Sequence, residues 1–242
     1  MERLDKLICS QSEITRTQAG RMIRAGRVLV NGQACRRPET KVDPERDAVT
    51  VEGRPLTYRR FVYWMLNKPA GILCVSRDPN RQTVVDLLPP EEKHRQLFPA
   101  GRLDRDTVGL VILTNDGEYA HRLLAPRSGV RKLYRVRLDG PLLPEHVQAF
   151  ADGIELADGT KCLPAALKIM ENTPVSLAEV EIAEGKYHQI KRMFGTLGLG
   201  VTWLKRCRIG ALELDPALKE GECRPLEPAE IDLSLQNGAL FL

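Results

Sequence analysis

Beyond residue 60 the chain alternates short runs of β-branched and aromatic residues with segments of helical period, which confines it to a mixed sheet with helices laid against it. The strand-like runs are 61–66, 108–114, 133–138, 178–182 and 209–214, and the helical segments are 118–125, 144–151 and 188–197. Within the last of these, Ile190, Met193, Phe194 and Leu197 form an i, i+3, i+4, i+7 stripe that predicts a core-facing helix. The expected fold class is α+β around a largely antiparallel sheet. With 242 residues, 43% hydrophobic and 28% charged, there is material for one sizeable core and a small extra module. The longest apolar runs are far too short to span a bilayer, so a cytoplasmic protein with no membrane partner is expected. Four histidines without a pair at ligand spacing, and six scattered cysteines without Cys-x-x-Cys, argue against a metal or disulfide framework.

The first 60 residues have a different character. Thr15-Arg16-Thr17-Gln18 has capping-box form, and Ala19, Met22 and Ile23 follow at helical spacing, so a helix is predicted over 16–25 and Gly26 should end it. Val28-Leu29-Val30 then runs into Asn31-Gly32, a dipeptide that tolerates positive φ and suits a tight hairpin. Residues 1–60 hold 13 Lys/Arg against 8 Asp/Glu, a net +5, which leaves 23 against 24 for the rest. Such asymmetry favours a polyanion, because each phosphate neutralised releases counterions; a merely solvated basic face is the plainer alternative. Arg21, Arg24 and Arg27 are expected along one helical edge beside the hairpin. Together, Arg3-Leu4-Asp5-Lys6, the helix start at Thr15 and Gly26-Arg27-Val28-Leu29-Val30-Asn31-Gly32 resemble the S4 RNA-binding module. That resemblance implies docking on structured RNA, with Arg3, Lys6, Arg16, Arg21, Arg24, Arg27 and Asn31 as the candidate contacts. Residues 38–60 are polar and turn-rich, with Val49-Thr50-Val51 as an extra strand, and mark a boundary between an S4-like module with its linker (1–60) and a second domain (61–242).

The most informative stretch is Gly101-Arg102-Leu103-Asp104-Arg105-Asp106-Thr107-Val108-Gly109-Leu110, which sets acids among basic and flexible residues just before a hydrophobic strand. A loop in that position can present a carboxylate into a cleft. Spacing alone favours a surface salt-bridge loop, and Asp104 and Asp106 at i, i+2 also leave a paired-carboxylate glycosidase open.

This segment resembles the signature of the pseudouridine synthases, in which the Asp at the position of Asp104 is the essential carboxylate. Asn67-Lys68-Pro69-Ala70-Gly71, Lys132-Leu133-Tyr134-Arg135-Val136 and Gly185-Lys186-Tyr187-His188-Gln189-Ile190-Lys191-Arg192-Met193 match the same superfamily in the same order. The ending Gly221-Glu222-Cys223-Arg224-Pro225-Leu226 with Glu230-Ile231 is similar to the branch acting on small-subunit ribosomal RNA. The resemblance implies isomerisation of one uridine to pseudouridine without a cofactor or a metal. It places Tyr134 against the uracil as a proposed base for the C5 proton, and pairs Lys191 with Asp104. Leu204 is implied to pack beneath the nucleotide, Arg102 to fill the space a flipped base vacates, Lys68 to be structural and close to backbone phosphate, and Lys132 and Arg192 to lie near RNA phosphate. His188 is implied to be structural. The implied partner is ribosomal RNA, within a partly assembled small-subunit particle, met by a monomer. A paralogue acting on large-subunit RNA and a non-catalytic RNA-binding assembly factor are the competing readings.

Overall fold

The computed structural model describes residues 1–172 and 174–237. Its chain divides into two compact units, one of Met1–Val62 with Leu88–Leu97 and one of Tyr63–Leu87 with the chain from Phe98 onward. Among the described residues no helix is long and apolar enough to cross a membrane.

The first unit contains β1 (Glu2–Arg3), α1 (Leu4–Gln11), α2 (Arg16–Arg24), β2 (Val28–Val30), β3 (Gln33–Ala34), β4 (Lys41–Val42), β5 (Val49–Val51) and β6 (Arg54–Pro55). α2 opens on the expected capping box: Gln18 N–H donates to Thr15 Oγ1, and Thr15 N–H donates back to Gln18 Oε1 at 2.9 Å. It closes on a Schellman pair, Gly26 N–H to the Ile23 carbonyl and Arg27 N–H to the Met22 carbonyl, with Gly26 at φ +74°. Asn31 and Gly32, at φ +52° and +79°, turn β2 into β3. Strands β3, β2, β5 and β6 form one antiparallel sheet, and Leu4, Leu7, Ile8, Ala19, Ile23 and Val28 fill the core beneath it. The excursion Leu88–Leu97 has no counterpart in the linear reading of the boundary. Leu88 and Leu97 are buried, and between them Arg95 donates to Gln11 Oε1 and to the Arg59 carbonyl, contacts made across distances in sequence that no local pattern announces.

The second unit is built from β7 (Tyr63–Lys68), β8 (Phe98–Pro99), β9 (Val108–Thr114), α3 (Gly117–Leu124), β10 (Lys132–Leu138), α4 (Pro144–Asp152), β11 (Ala166–Asn172), β12 (Ser176–Ile182), α5 (Gln189–Thr196), β13 (Val201–Ile209), β14 (Leu212–Glu213), β15 (Cys223–Pro225) and α6 (Pro228–Leu235). The sheet order is β11-β12-β10-β13-β9-β7-β15, with β14 on β13 and β8 on β9. Every pairing is antiparallel except β13 with β9, so the α+β architecture is the expected one. All seven residues of β9 are buried, as befits a strand covered on both faces. Met65, Leu110 and Ile112 pack with Tyr119 and Leu123 of α3. Ile190, Met193 and Phe194 anchor α5, and the Phe194 ring lies 4.8 Å from that of Phe150. The run 209–214, expected as one strand, is instead a reversal: Ile209 ends β13, Gly210 takes φ +59°, and Leu212 opens β14.

The parallel junction demands a glycine. Arg206 lies opposite Gly109, which has φ +102°, and a Cβ there would come within 2.3 Å of the Arg206 carbonyl oxygen. Buried Arg206 crosses over to donate from Nε to the Leu110 carbonyl at 2.8 Å. The start of β9, and the loop that feeds it, are thus fixed against the middle of β13.

Candidate active site

That loop, residues 101–107, is tied down from within. Lys68 at the end of β7 is 0% exposed, and its Nζ donates to the carbonyls of Pro69, Arg105 and Thr107 at 3.0, 3.1 and 2.9 Å. Gly71 N–H donates to the Arg105 carbonyl, and Arg105 Nε to the Gly71 carbonyl. Burial pushes the Lys68 amine below its ordinary pKa. Lys68 is therefore structural, as the motif resemblance implied, and its donors are spent on backbone as a clasp for the loop rather than on phosphate.

Clasped in this way, the loop presents Asp104 with about a quarter of its side chain exposed. Two groups of the α5 region converge on the carboxylate. Lys191 Nζ stands 3.5 Å from Oδ2, and His188 Nε2 stands 3.3 Å from Oδ1. His188 immediately precedes α5 at φ +48°, an uncommon conformation for a non-glycine residue, and Lys191 follows three positions on, so both project to one side. Lys191 also meets Asp106 Oδ1 at 2.6 Å. This hydrogen bond, more than any other influence, holds the Asp106 carboxyl below its ordinary value.

On the sheet, Tyr134 of β10 lies opposite Arg206 of β13, and Val136 lies opposite Leu204. All four are buried on one face, which makes Tyr134 and Leu204 diagonal neighbours. Arg102, Asp104, Tyr134, Lys191 and Leu204, from four elements far apart in sequence, thus line a single open cleft, together with Ile182, Gly185 and His188. Asp106 is outside it, with 73% of its side chain exposed. The two acids therefore do not flank a common space, and the paired-carboxylate arrangement is absent from this site.

The remaining candidates are dispersed. Lys132 is buried, donates from Nζ to the Val130 carbonyl at 2.7 Å, and is pushed down to about 8 by burial, aided by the nearby Arg206 charge; it does not face phosphate. Lys132 shares the face of Tyr134 on β10, but that face is interior at this end. Arg192 is paired with Asp158 and does not line the cleft. In the first unit, Arg3 and Arg16 both reach buried Asp5, and Arg27 lies beyond the end of α2 and pairs with Glu52 at 3.1 Å, so the expected arginine edge holds only Arg21 and Arg24. Those two and Lys6 are exposed, without an ion pair among the described residues. Asn31 spends its side chain on Asp47 Oδ1 and the Ala48 N–H. The reading missed His188 as a neighbour of the carboxylate, although its three-residue spacing from Lys191 was a usable signal.

Comparison with known proteins fits this geometry. Residues 62–196 match the RNA pseudouridylate synthase family, and residues 2–47 match the S4 domain. The chain is 43% identical over 232 residues to an uncharacterized RNA pseudouridine synthase of Bacillus subtilis, covering 96% of this chain and 97% of that protein. It is 44% identical over 233 residues to the ribosomal small subunit pseudouridine synthase A of Escherichia coli, covering 95% and 98%. A solved crystal structure of a pseudouridylate synthase superposes with a TM-score of 0.68 at 37% identity, covering 97% of this chain and all of that one. With the family match spanning more than half of the chain and these relatives aligned over nearly their full length, the chain belongs to the RNA pseudouridylate synthase family.

Proposed function

We propose that the protein isomerises one uridine of small-subunit ribosomal RNA to pseudouridine, acting in the cytoplasm as a monomer on a partly assembled small-subunit particle. The observation that carries the chemistry is the Asp104 carboxylate set between Lys191 and His188 in the cleft that Tyr134 and Leu204 line. The reaction breaks the bond from ribose C1′ to uracil N1 and joins C1′ to C5. The C5 proton leaves and N1 gains one, so nothing is added or oxidised and no cofactor is called for. To reach the cleft the uridine must be flipped out of RNA structure, at a cost of roughly a few kcal/mol offset by protein contacts.

In this reading Asp104 is the group that acts on the nucleotide. Lys191 balances its charge and fixes its direction. The Tyr134 ring lies against the uracil, with its hydroxyl placed to take the C5 proton, while Leu204 supports the base from the sheet. Arg102, exposed at the rim and without an ion pair among the described residues, is free to occupy the gap left by the flipped base. Lys6, Arg21 and Arg24 supply phosphate contacts from the S4 unit.

Asp104→Asn should abolish tritium release from 5-tritiated ribosomal RNA while leaving folding and RNA binding intact; turnover in that variant rejects the assignment. The target follows from mapping carbodiimide-induced reverse-transcription stops in cells with and without the gene. The 44% identity to a small-subunit enzyme favours loss of a small-subunit signal. Loss of a large-subunit signal alone would move the protein to the paralogous role.

A further inference from the structure

Tyr187 is the most exposed aromatic ring among the described residues, 75% accessible, and its hydroxyl makes no hydrogen bond among them. It is nonetheless placed. Its ring stacks on that of His188, with centroids 3.8 Å apart and planes 19° from parallel, and His188 in turn reaches Asp104. The loop that carries the pair is braced on both sides. Lys186 N–H donates to Gln189 Oε1 at 2.9 Å, and Lys186 Nζ donates to Glu184 and to the Lys161 carbonyl. Glu184 also accepts from Gln189 Nε2 and from the Leu163 N–H. One face of the Tyr187 ring is covered by His188 and the other is left to solvent, which is costly for an apolar ring unless something else covers it.

Tyr187 and His188 line a second cleft with Val75 and Arg105, and this cleft adjoins the catalytic one and shares Arg102 and Asp104 with it. Because the two clefts adjoin, an RNA strand whose nucleotide enters the catalytic one can run across the other. Flipping that nucleotide breaks its stacking on both neighbours, so a neighbour arrives with a bare π-face at the place where Tyr187 offers one. We infer that the Tyr187–His188 pair is a stacking platform for the nucleobase adjacent to the target uridine. This rests on the reading of the catalytic cleft given above. The platform abuts the site through the His188–Asp104 contact. Aromatic stacking is sequence-tolerant, so the platform supplies affinity and register rather than base identity.

The test uses the full chain and a ribosomal RNA fragment containing the mapped uridine, with 2-aminopurine on one side of it or, separately, on the other. In the Asp104→Asn background, binding should quench the fluorophore at one of these positions. The quench should vanish with Tyr187→Ala and persist with Tyr187→Phe. In the active enzyme Tyr187→Ala should raise KM roughly fivefold to a hundredfold, the range for one stacked base, with kcat nearly unchanged and Tyr187→Phe near wild type. The Tm should not move, because the ring is exposed. A quench at neither position, or equal behaviour of the Ala and Phe variants, overturns the platform. Absence of pseudouridine in ribosomal RNA treated with the unaltered enzyme overturns the reading of the cleft, and the platform with it.

Discussion

Lys191 serves two acids of unequal standing. Its shorter contact, 2.6 Å, is to exposed Asp106, and its longer one, 3.5 Å, is to Asp104 in the cleft. Asp106→Asn should leave turnover within about threefold, because exposed pairs contribute little, whereas Lys191→Met should remove most of it. In Lys191→Met the Asp106 carboxyl should titrate higher, near its ordinary value of 3.8, as read by carbonyl NMR. The sign follows: a carboxyl depressed in the fold contributes stability above its unfolded pKa and loses it as pH falls through the folded one. Lys132 gives a slope of the same sign in a higher window. Its amine is lowered to about 8 from an ordinary 10.5, so between these values the unfolded chain holds the extra proton and stability rises with pH. Lys132→Met should flatten the slope of stability against pH across that window in urea titrations. Neither buried lysine could be identified from local sequence. Motif resemblance gave Lys68 a structural part, and the carbonyls gathered around it from residues 69, 105 and 107 show what that part is. The spacing of Asp104 was ambiguous with that of Asp106, motif resemblance singled Asp104 out, and the fold then separated the two by exposure.

Among the elements, those with strong local signals were legible. The capping box of α2, the Asn31-Gly32 hairpin, the seven-residue run of β9 and the apolar stripe of α5 are all present as expected. β13 was not foreseen beyond its last residue. Its Thr202, Lys205, Arg206 and Arg208 dilute the alternation, and what recruits it is long-range pairing with β10 on one side and β9 on the other. The glycine at the second of these junctions is a sharp test. Gly109→Ala should destabilise the protein by about 3 kcal/mol or more, since it adds both a strained φ and a clash with backbone that cannot be relieved by a side-chain rotation. Denaturant unfolding measures the loss. Activity should fall further than stability predicts, because the same junction fixes the base of the Asp104 loop.

At the scale of the whole molecule, the chain passes between its two units three times, after Val62, after Leu87 and after Leu97. A fragment ending at residue 62 therefore lacks the buried Leu88 and Leu97, each contributing roughly 1.5–3 kcal/mol. Its α1 amides should exchange with deuterium much faster than those of the full chain; equal protection would show that the excursion adds nothing. The parallel pairing of β9 with β13 has a consequence in time. Val108 waits for Lys205, 97 positions later, and Tyr134 and Lys191 are also made only after the acid at 104. Synthesis thus delivers Asp104 first and the groups that line its cleft last. A nascent chain holds Asp104 without the strand that fixes its loop until β13 has been made.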